Sequence, residues 1–357
     1  MELLFFTDPI ENFYGPLKPP LLIARKLKRH FDITIVSPFI SEKFVSMLKH
    51  EGYGVINLNK KYPFSGSLLT FFEWLSLTKL NPQKHRNTAI VNFSQCFLVD
   101  ANIYYAQGPI TKALDDISPE MNFNFRVSYM FARPFLVAYD KWFNRRLRER
   151  SGFIIANSSF CRRMYEEWGI KIDGLIYPPL DCGLFRPTTS KPSDDYILTY
   201  IGKETKYSVI KKIAHSGIKI KAFGAKNPFI PKNMLKHPNI EFWGKVTDSE
   251  LVNLYSNALY TLFIFTHEPF GYIPVESMAC GTPILTYGKQ GPSETIINNV
   301  TGWLVNDDKK LIDYAKKIWR NGYPSDTRLK CRERSLKFNV ELISCKWLEI
   351  LLSLINE

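Results

Sequence analysis

Two glutamates eight positions apart, Glu268 and Glu276, stand in the segment HEPFGYIPVESMACGTPIL, directly after the apolar run LYTLFIF. A short apolar run of that kind reads as a strand, and the residues after it as a loop, a short helix and the next strand. Pro274 suits the first helical turn, where a missing N–H costs nothing, and Gly281 suits a left-handed stop. The helix is therefore about two turns long. Its start presents unpaired N–H groups and the positive end of the helix dipole to the space beyond the sheet, where a diphosphate is readily held. Gly271 lets a phosphate come close to the backbone. Glu268 lies on the loop and Glu276 within the helix, so the two carboxylates cannot share one helical face and must do different jobs.

The elements that position these residues follow an alternation of short apolar runs and longer amphipathic segments, the pattern of parallel sheets covered by helices. ELLFFT, DITIVSP, TAIVNF and FIIANS are expected strands of the first half; YILTYIG, IKIKAFG, NIEFWG, LYTLFIF and TPILTY of the second. In doubly wound sheets ligands sit beyond the carboxyl ends of the strands, which is where chemistry is expected. The segment from Pro178 to Asp195 concentrates Pro, Ser, Thr and Asp and reads as an interdomain linker. FNVELISCKWLEILLSLI has helical periodicity and reads as a terminal helix that packs. Thr247-Asp248-Ser249-Glu250 before LVNLY is a helix capping box rather than an acidic site.

The Glu268…Glu276 pair with PFG between them, followed by ACGTPIL, GPSETI and NVTGWLV, resembles glycosyltransferase family 4, the retaining sugar transferases of the GT-B fold. The likeness extends upstream through NIEFWGKVTDSELVNLYSNA, YPPLD and ANSSFCRRMYEEWG, roughly the C-terminal two-thirds of the chain. It implies two Rossmann-like domains facing across a cleft: residues 1–185 on the acceptor side, 186–335 binding the nucleotide sugar, and 336–357 a terminal helix crossing back to the first. It implies that Glu268 contacts donor-sugar hydroxyls near the reacting carbon. Phe270 and Gly271, with Tyr272 beside them, would offer backbone N–H groups to the sugar or diphosphate, and Glu276 would accept both ribose hydroxyls. Gly202, Lys203 and Lys206 resemble the family's glycine, arginine and lysine that neutralise the leaving diphosphate, a lysine point charge standing in for a bidentate fork. Gly15, in FYGPLKPPLL, is the glycine available after the first strand for the donor phosphates. In YYAQGP, Gln107 stands where the family often has an acceptor-side histidine, and a glutamine hydrogen-bonds a hydroxyl without acting as a base. Base recognition is expected from backbone groups around Gly244 to Val246.

The resemblance implies transfer of a hexosyl group from a uridine or guanosine diphosphate sugar to a glycan, a lipid-linked sugar or a small acceptor. The departing phosphate takes the acceptor proton, so stabilising the diphosphate dominates. No cofactor or metal is expected: the acidic pairs Asp115-Asp116, Asp194-Asp195 and Asp307-Asp308 are adjacent, and no Asp-x-Asp clamp occurs. His267 is open to two readings, substrate contact or a partly buried structural histidine. So is Glu294, as a helix-start residue or as part of a loop approaching the donor.

A formal net charge of +13 on 357 residues favours an anionic partner: a phosphate-bearing ligand, a nucleic acid or an acidic membrane. The run YDKWFNRRLRER, with Lys141, Arg145, Arg146, Arg148 and Arg150, reads either as a solvated basic face or as a surface docking on an anionic membrane, which residues 21–30 would extend. Nucleic acid is the disfavoured partner. A basic GT-B-shaped protein that binds nucleic acid or membrane without catalysis is the alternative function, and an epimerase or phosphorylase on the same fold a third. Six scattered cysteines with no C-x-x-C and no zinc spacing read as reduced thiols. MELLFFTDPI lacks a basic n-region and a cleavage site, so a cytoplasmic chain is expected, and the membrane reading of the basic run would place it peripherally on the inner face.

Overall fold

The computed structural model describes residues 2–11, 15–60, 63, 65–80, 88–193, 195–202, 205–225, 230–231, 234 and 236–355. They form two compact units. The first comprises Met1–Leu114, Met130–Pro179 and Val340–Glu357, the second Asp115–Tyr129 and Leu180–Asn339.

The first unit is built on seven parallel strands. In chain order these are β1 (Glu2–Phe6), β2 (Asp32–Ser37), β3 (Gly54–Asn57), β5 (Thr88–Asn92), β7 (Ala101–Ala106), β8 (Ser151–Ala156) and β9 (Gly174–Leu175). Their spatial order is β3-β2-β1-β5-β7-β8-β9, while β4 (Thr78–Leu80) and β6 (Phe97–Val99) pair separately. The strand order reverses between β1 and β5. Near-continuous apolar runs such as Leu3–Phe6 and Ala89–Val91 are buried, as strands covered on both faces require. The terminal helix Val340–Ile355 lays Ile343, Trp347 and Leu351 into this core, with Trp347 5.3 Å from the Phe93 ring and 5.4 Å from that of Tyr105.

The second unit repeats the plan with β10 (Ile197–Tyr200), β11 (Ile220–Phe223), β12 (Ile240–Gly244), β13 (Thr261–Phe263), β14 (Ile284–Tyr287) and β15 (Gly302–Val305). The sheet runs β12-β11-β10-β13-β14-β15, parallel throughout, and reverses between β10 and β13. That is the doubly wound order, and its ligand crevice lies at the carboxyl ends of the two strands flanking the reversal. Helix boundaries follow the sequence signals. Thr247 and Glu250 form the reciprocal capping box of the helix Asp248–Asn257. The helix Tyr272–Ala279 starts at Gly271 and is closed by Gly281, both left-handed, with φ of +97° and +81°.

None of the six cysteines forms a disulfide, and five are buried. Among the described residues no helix is long and apolar enough to cross a membrane.

Candidate functional site

The site grows from the two strand ends that flank the reversal in the second sheet. After β10 the chain turns through Gly202, where a side chain would come within 2.4 Å of the Tyr200 ring. Only glycine fits. Thr205 Oγ1 accepts from the Gly202 N–H at 3.0 Å, and the Tyr207 hydroxyl donates to the Gly202 carbonyl at 2.7 Å, so the turn is tied down. Lys206 is the N-cap of the helix Tyr207–Ala214. Its Nζ meets both Asp308 oxygens, at 2.9 and 3.1 Å, and lies 5.5 Å from the centre of the Tyr287 ring. Burial would raise the Asp308 pKa, but hydrogen bonds from Tyr287 and Lys206 outweigh it and hold the carboxyl below its usual range. Lys203 lies outside the described residues.

After β13 the chain carries His267, Glu268, Phe270 and Gly271 to the start of the Tyr272 helix. Glu268 folds over that helix start: its Oε1 accepts from the N–H groups of Gly271 at 2.9 Å and Phe270 at 3.3 Å. The expectation gave those two N–H groups to a donor sugar or diphosphate. In the structure they donate to Glu268, because a carboxylate one turn upstream is the nearest anion for the positive end of the helix. Phe270 itself is buried, its ring 5.5 Å from that of Phe338, and Tyr272 packs edge-on to it. Glu276 is 2% exposed, and its Oε2 accepts from the Tyr255 hydroxyl at 3.2 Å. Burial first and the neighbouring Glu276 second push the Tyr255 hydroxyl far above its ordinary pKa, so it remains a donor.

Two residues that the sequence reading passed over lock this loop. Gln290 has φ of +54°, a conformation that glycine usually takes. Its Oε1 accepts from the Glu268 N–H at 2.6 Å, and its Nε2 donates to Asp116 Oδ2 at 3.0 Å and to the Thr266 carbonyl at 3.2 Å. Asp116, read in the sequence only as half of an acidic pair unsuited to a metal, also lies 2.8 Å from His267 Nδ1. His267 is 8% exposed within this network. At Gly291 an added Cβ would fall 2.4 Å from the Pro269 carbonyl, so the two loops touch backbone to backbone. Nothing in the sequence near Asp116 pointed to this contact, which joins positions 151 residues apart. The glycine after Gln290 was the one local sign.

At the carboxyl ends of β14 and β15 a pocket of about 190 Å³ is lined by Lys206, Tyr287, Lys289, Asn306, Asp307 and Asp308. Burial lowers the pKa of Lys289, with the charge of Asp116 acting against the shift. Two ammonium groups and two carboxylates share this lining, and Lys206 is paired with Asp308. Glu294 sits in the short helix Pro292–Thr295 and its carbonyl accepts from Arg334 at 2.6 Å. Gly244 ends β12 with φ of +71°.

In the first unit, Gly15 opens a turn of 3-10 helix, and Gln107, 9% exposed after β7, donates Nε2 to the Phe93 carbonyl at 3.0 Å and the Pro16 carbonyl at 3.4 Å. Its amide nitrogen braces backbone. Asp8, after β1, accepts from Ser94 Oγ at 2.6 Å and the Gln95 N–H at 3.1 Å, and burial raises its pKa.

Two doubly wound parallel sheets define a GT-B fold, and comparison with solved structures bears this out over the whole chain. The Anabaena HepE protein in complex with UDP superposes with a TM-score of 0.68 at 15% identity, covering 99% of this chain and 100% of that one. WaaG, a glycosyltransferase involved in lipopolysaccharide biosynthesis, gives a TM-score of 0.68 at 12% identity, covering 98% and 99%. Residues 230–338, the part of the second unit that holds Glu268 and Glu276, match the family model "Glycosyl transferases group 1". Among curated proteins, the mouse alpha-1,3/1,6-mannosyltransferase ALG2 is 30% identical over 81 residues, 22% of this chain. The matched segment spans only 20% of that relative's length.

Proposed function

We propose that this chain is a retaining glycosyltransferase of family 4, moving a hexosyl group from a uridine or guanosine diphosphate sugar to a glycan, lipid-linked or small-molecule acceptor. The observation that carries the reading is the convergence of Glu268, the start of the Tyr272 helix and Lys206 on the two strand ends flanking the sheet reversal, with Glu276 buried one helix turn behind. Support for a nucleotide-sugar donor comes from the group 1 model match and from HepE, a GT-B structure that holds UDP.

In this reading the donor diphosphate lies against the helix start, where Lys206 and Lys289 meet its charge. Lys206 exchanges Asp308 for phosphate. Glu268 accepts hydrogen bonds from sugar hydroxyls beside the reacting carbon, and Glu276, with Oε2 held by Tyr255, accepts from the ribose. The leaving diphosphate takes the acceptor proton on the face it departs from, which preserves the anomeric configuration. Two lysines and the helix dipole oppose the diphosphate, and in this reading no metal or other cofactor takes part.

Calorimetric titration with uridine, guanosine and adenosine diphosphates tests the donor site, with Glu276→Ala alongside. We expect one nucleotide to bind selectively and the variant to lose about tenfold or more in affinity, as the loss of a charged acceptor implies. Equal affinity in wild type and variant would remove the ribose assignment, and binding of none of the three would remove the donor site. The anomeric proton coupling of the product, read by NMR, checks retention.

A further inference from the structure

Asp116 belongs to the network around Glu268, yet the glycosyltransferase reading gives it nothing to do. It lies in the last turn of the helix Ile110–Ile117 and, with the segment Asp115–Tyr129, is part of the second unit. Its Oδ2 takes two hydrogen bonds, from His267 Nδ1 at 2.8 Å and from Gln290 Nε2 at 3.0 Å. A carboxylate oxygen only accepts, so the His267 proton sits on Nδ1. Among the described residues Oδ1 has no hydrogen-bond partner, and the side chain is 40% exposed. A carboxylate is planar. With Oδ2 fixed on the loop, Oδ1 is therefore turned away from it, with its acceptor sites unused.

An exposed aspartate ordinarily samples several orientations, whereas two donors on one oxygen hold this one in place. Stability does not account for the arrangement, because a pair so exposed contributes little. Pre-set acceptors supported from behind are what a ligand site needs. The surroundings say which ligand. Gln290 accepts from the Glu268 N–H through Oε1 at 2.6 Å, so a single amide ties Asp116 to Glu268, and His267 is the residue directly before it. On the other side stands Lys289. Burial lowers its pKa, and the charge of Asp116 is the largest influence against that fall. Asp116 thus neighbours both the residue given to the donor sugar and an ammonium group given to the diphosphate.

We propose that Asp116 is a second sugar-binding carboxylate, whose Oδ1 accepts a hydrogen bond from a hydroxyl of the hexosyl group being transferred. The inference rests on the family-4 reading of Glu268. Two carboxylates that only accept select a sugar by the hydroxyls it presents. A donor lacking the matching hydroxyl leaves a covered carboxylate oxygen without a partner, which makes the deletion costly. Asp116 would then set specificity for the sugar, while the nucleotide is held elsewhere.

A cycle of side-chain and hydroxyl deletions tests this. The full chain is titrated by calorimetry with UDP and GDP, then with UDP-glucose, UDP-galactose and GDP-mannose, and finally with the 2-, 3-, 4- and 6-deoxy forms of the tightest donor. Wild type, Asp116→Asn and Glu268→Ala are compared, and far-UV circular dichroism checks that each folds. We expect loss of one hydroxyl to weaken wild type about tenfold or more and Asp116→Asn no further, with diphosphate affinity unchanged in that variant. That hydroxyl must differ from those coupled to Glu268. Coupling of both variants to the same hydroxyl would make Asp116 a support for Glu268 and overturns the proposal. A wild type indifferent to all four deletions overturns it without recourse to any variant. Binding of neither diphosphate removes the donor reading itself, whereas diphosphate binding without the coupling removes only the role of Asp116.

Discussion

At the residue scale the site turns on how Glu268 is held. Its carboxylate faces the helix start because Phe270 and Gly271 N–H groups draw it there, and its backbone is fixed from the other side by the Gln290 amide. Gln290 accepts a left-handed backbone, a cost of about 1 kcal/mol, in return for three side-chain hydrogen bonds. In the family-4 reading Gln290 is therefore a positioning residue. Gln290→Gly keeps the backbone conformation and removes the amide, so kcat should fall about tenfold or more while nucleotide affinity stays unchanged. Steady-state kinetics beside a nucleotide titration separates the two, and a Gly variant as active as wild type would show that the amide positions nothing. Glu268→Ala should behave likewise, lowering kcat with little change in nucleotide Kd.

The element scale is illustrated by the join between the helices Ile110–Ile117 and Phe123–Glu149. Asp140, fully buried, accepts from both the N–H and the hydroxyl of Thr111 at 2.7 Å and from Asn144 at 2.8 Å. Burial raises its pKa from 3.8 to about 6, with those hydrogen bonds pulling the other way. Between those values the folded chain keeps a proton that the unfolded chain has lost. Stability from this group is therefore greatest below about pH 4 and falls as pH rises through about 6, by up to about 3 kcal/mol. Asp140→Asn should flatten that slope. Urea midpoints across about pH 4 to 7 measure it, and an unchanged slope would assign the loss to other groups. The capping box is simpler: Thr247→Ala should cost about 1 kcal/mol in the same assay.

At the scale of the whole molecule, the last helix belongs to the first unit. Ile343, Trp347 and Leu351 complete a core begun at Leu3, with Trp347 fully buried among Phe93 and Tyr105. Trp347→Ala should cost about 3–5 kcal/mol, seen as a lower urea midpoint. Its Nε1 finds no hydrogen-bond partner. Trp347→Phe keeps a ring and removes a buried unsatisfied donor, so it should fall within about 1.5 kcal/mol of wild type. Equal losses in both variants would mean that the indole, not the ring volume, holds the helix.

Local rules were enough for much of this protein. The nine strands expected from apolar runs all form: most are buried on both faces, which leaves its mark in a few adjacent residues, while the edge strand Ile240–Gly244 buries only Ile240. The capping box, Gly271 and Gly281 are equally local, since a cap or a left-handed turn is decided within four positions. What the tertiary structure alone decided are relations across long separations: Asp116 beside His267 and Gln290, Lys206 on Asp308, Arg148 paired with Asp173 and Arg150 with Asp100, and Phe131 and Phe135 left on the outside of a helix. Charge and hydrophobicity are written in the chain, but which charges cancel and which rings stay exposed depends on what folds beside them.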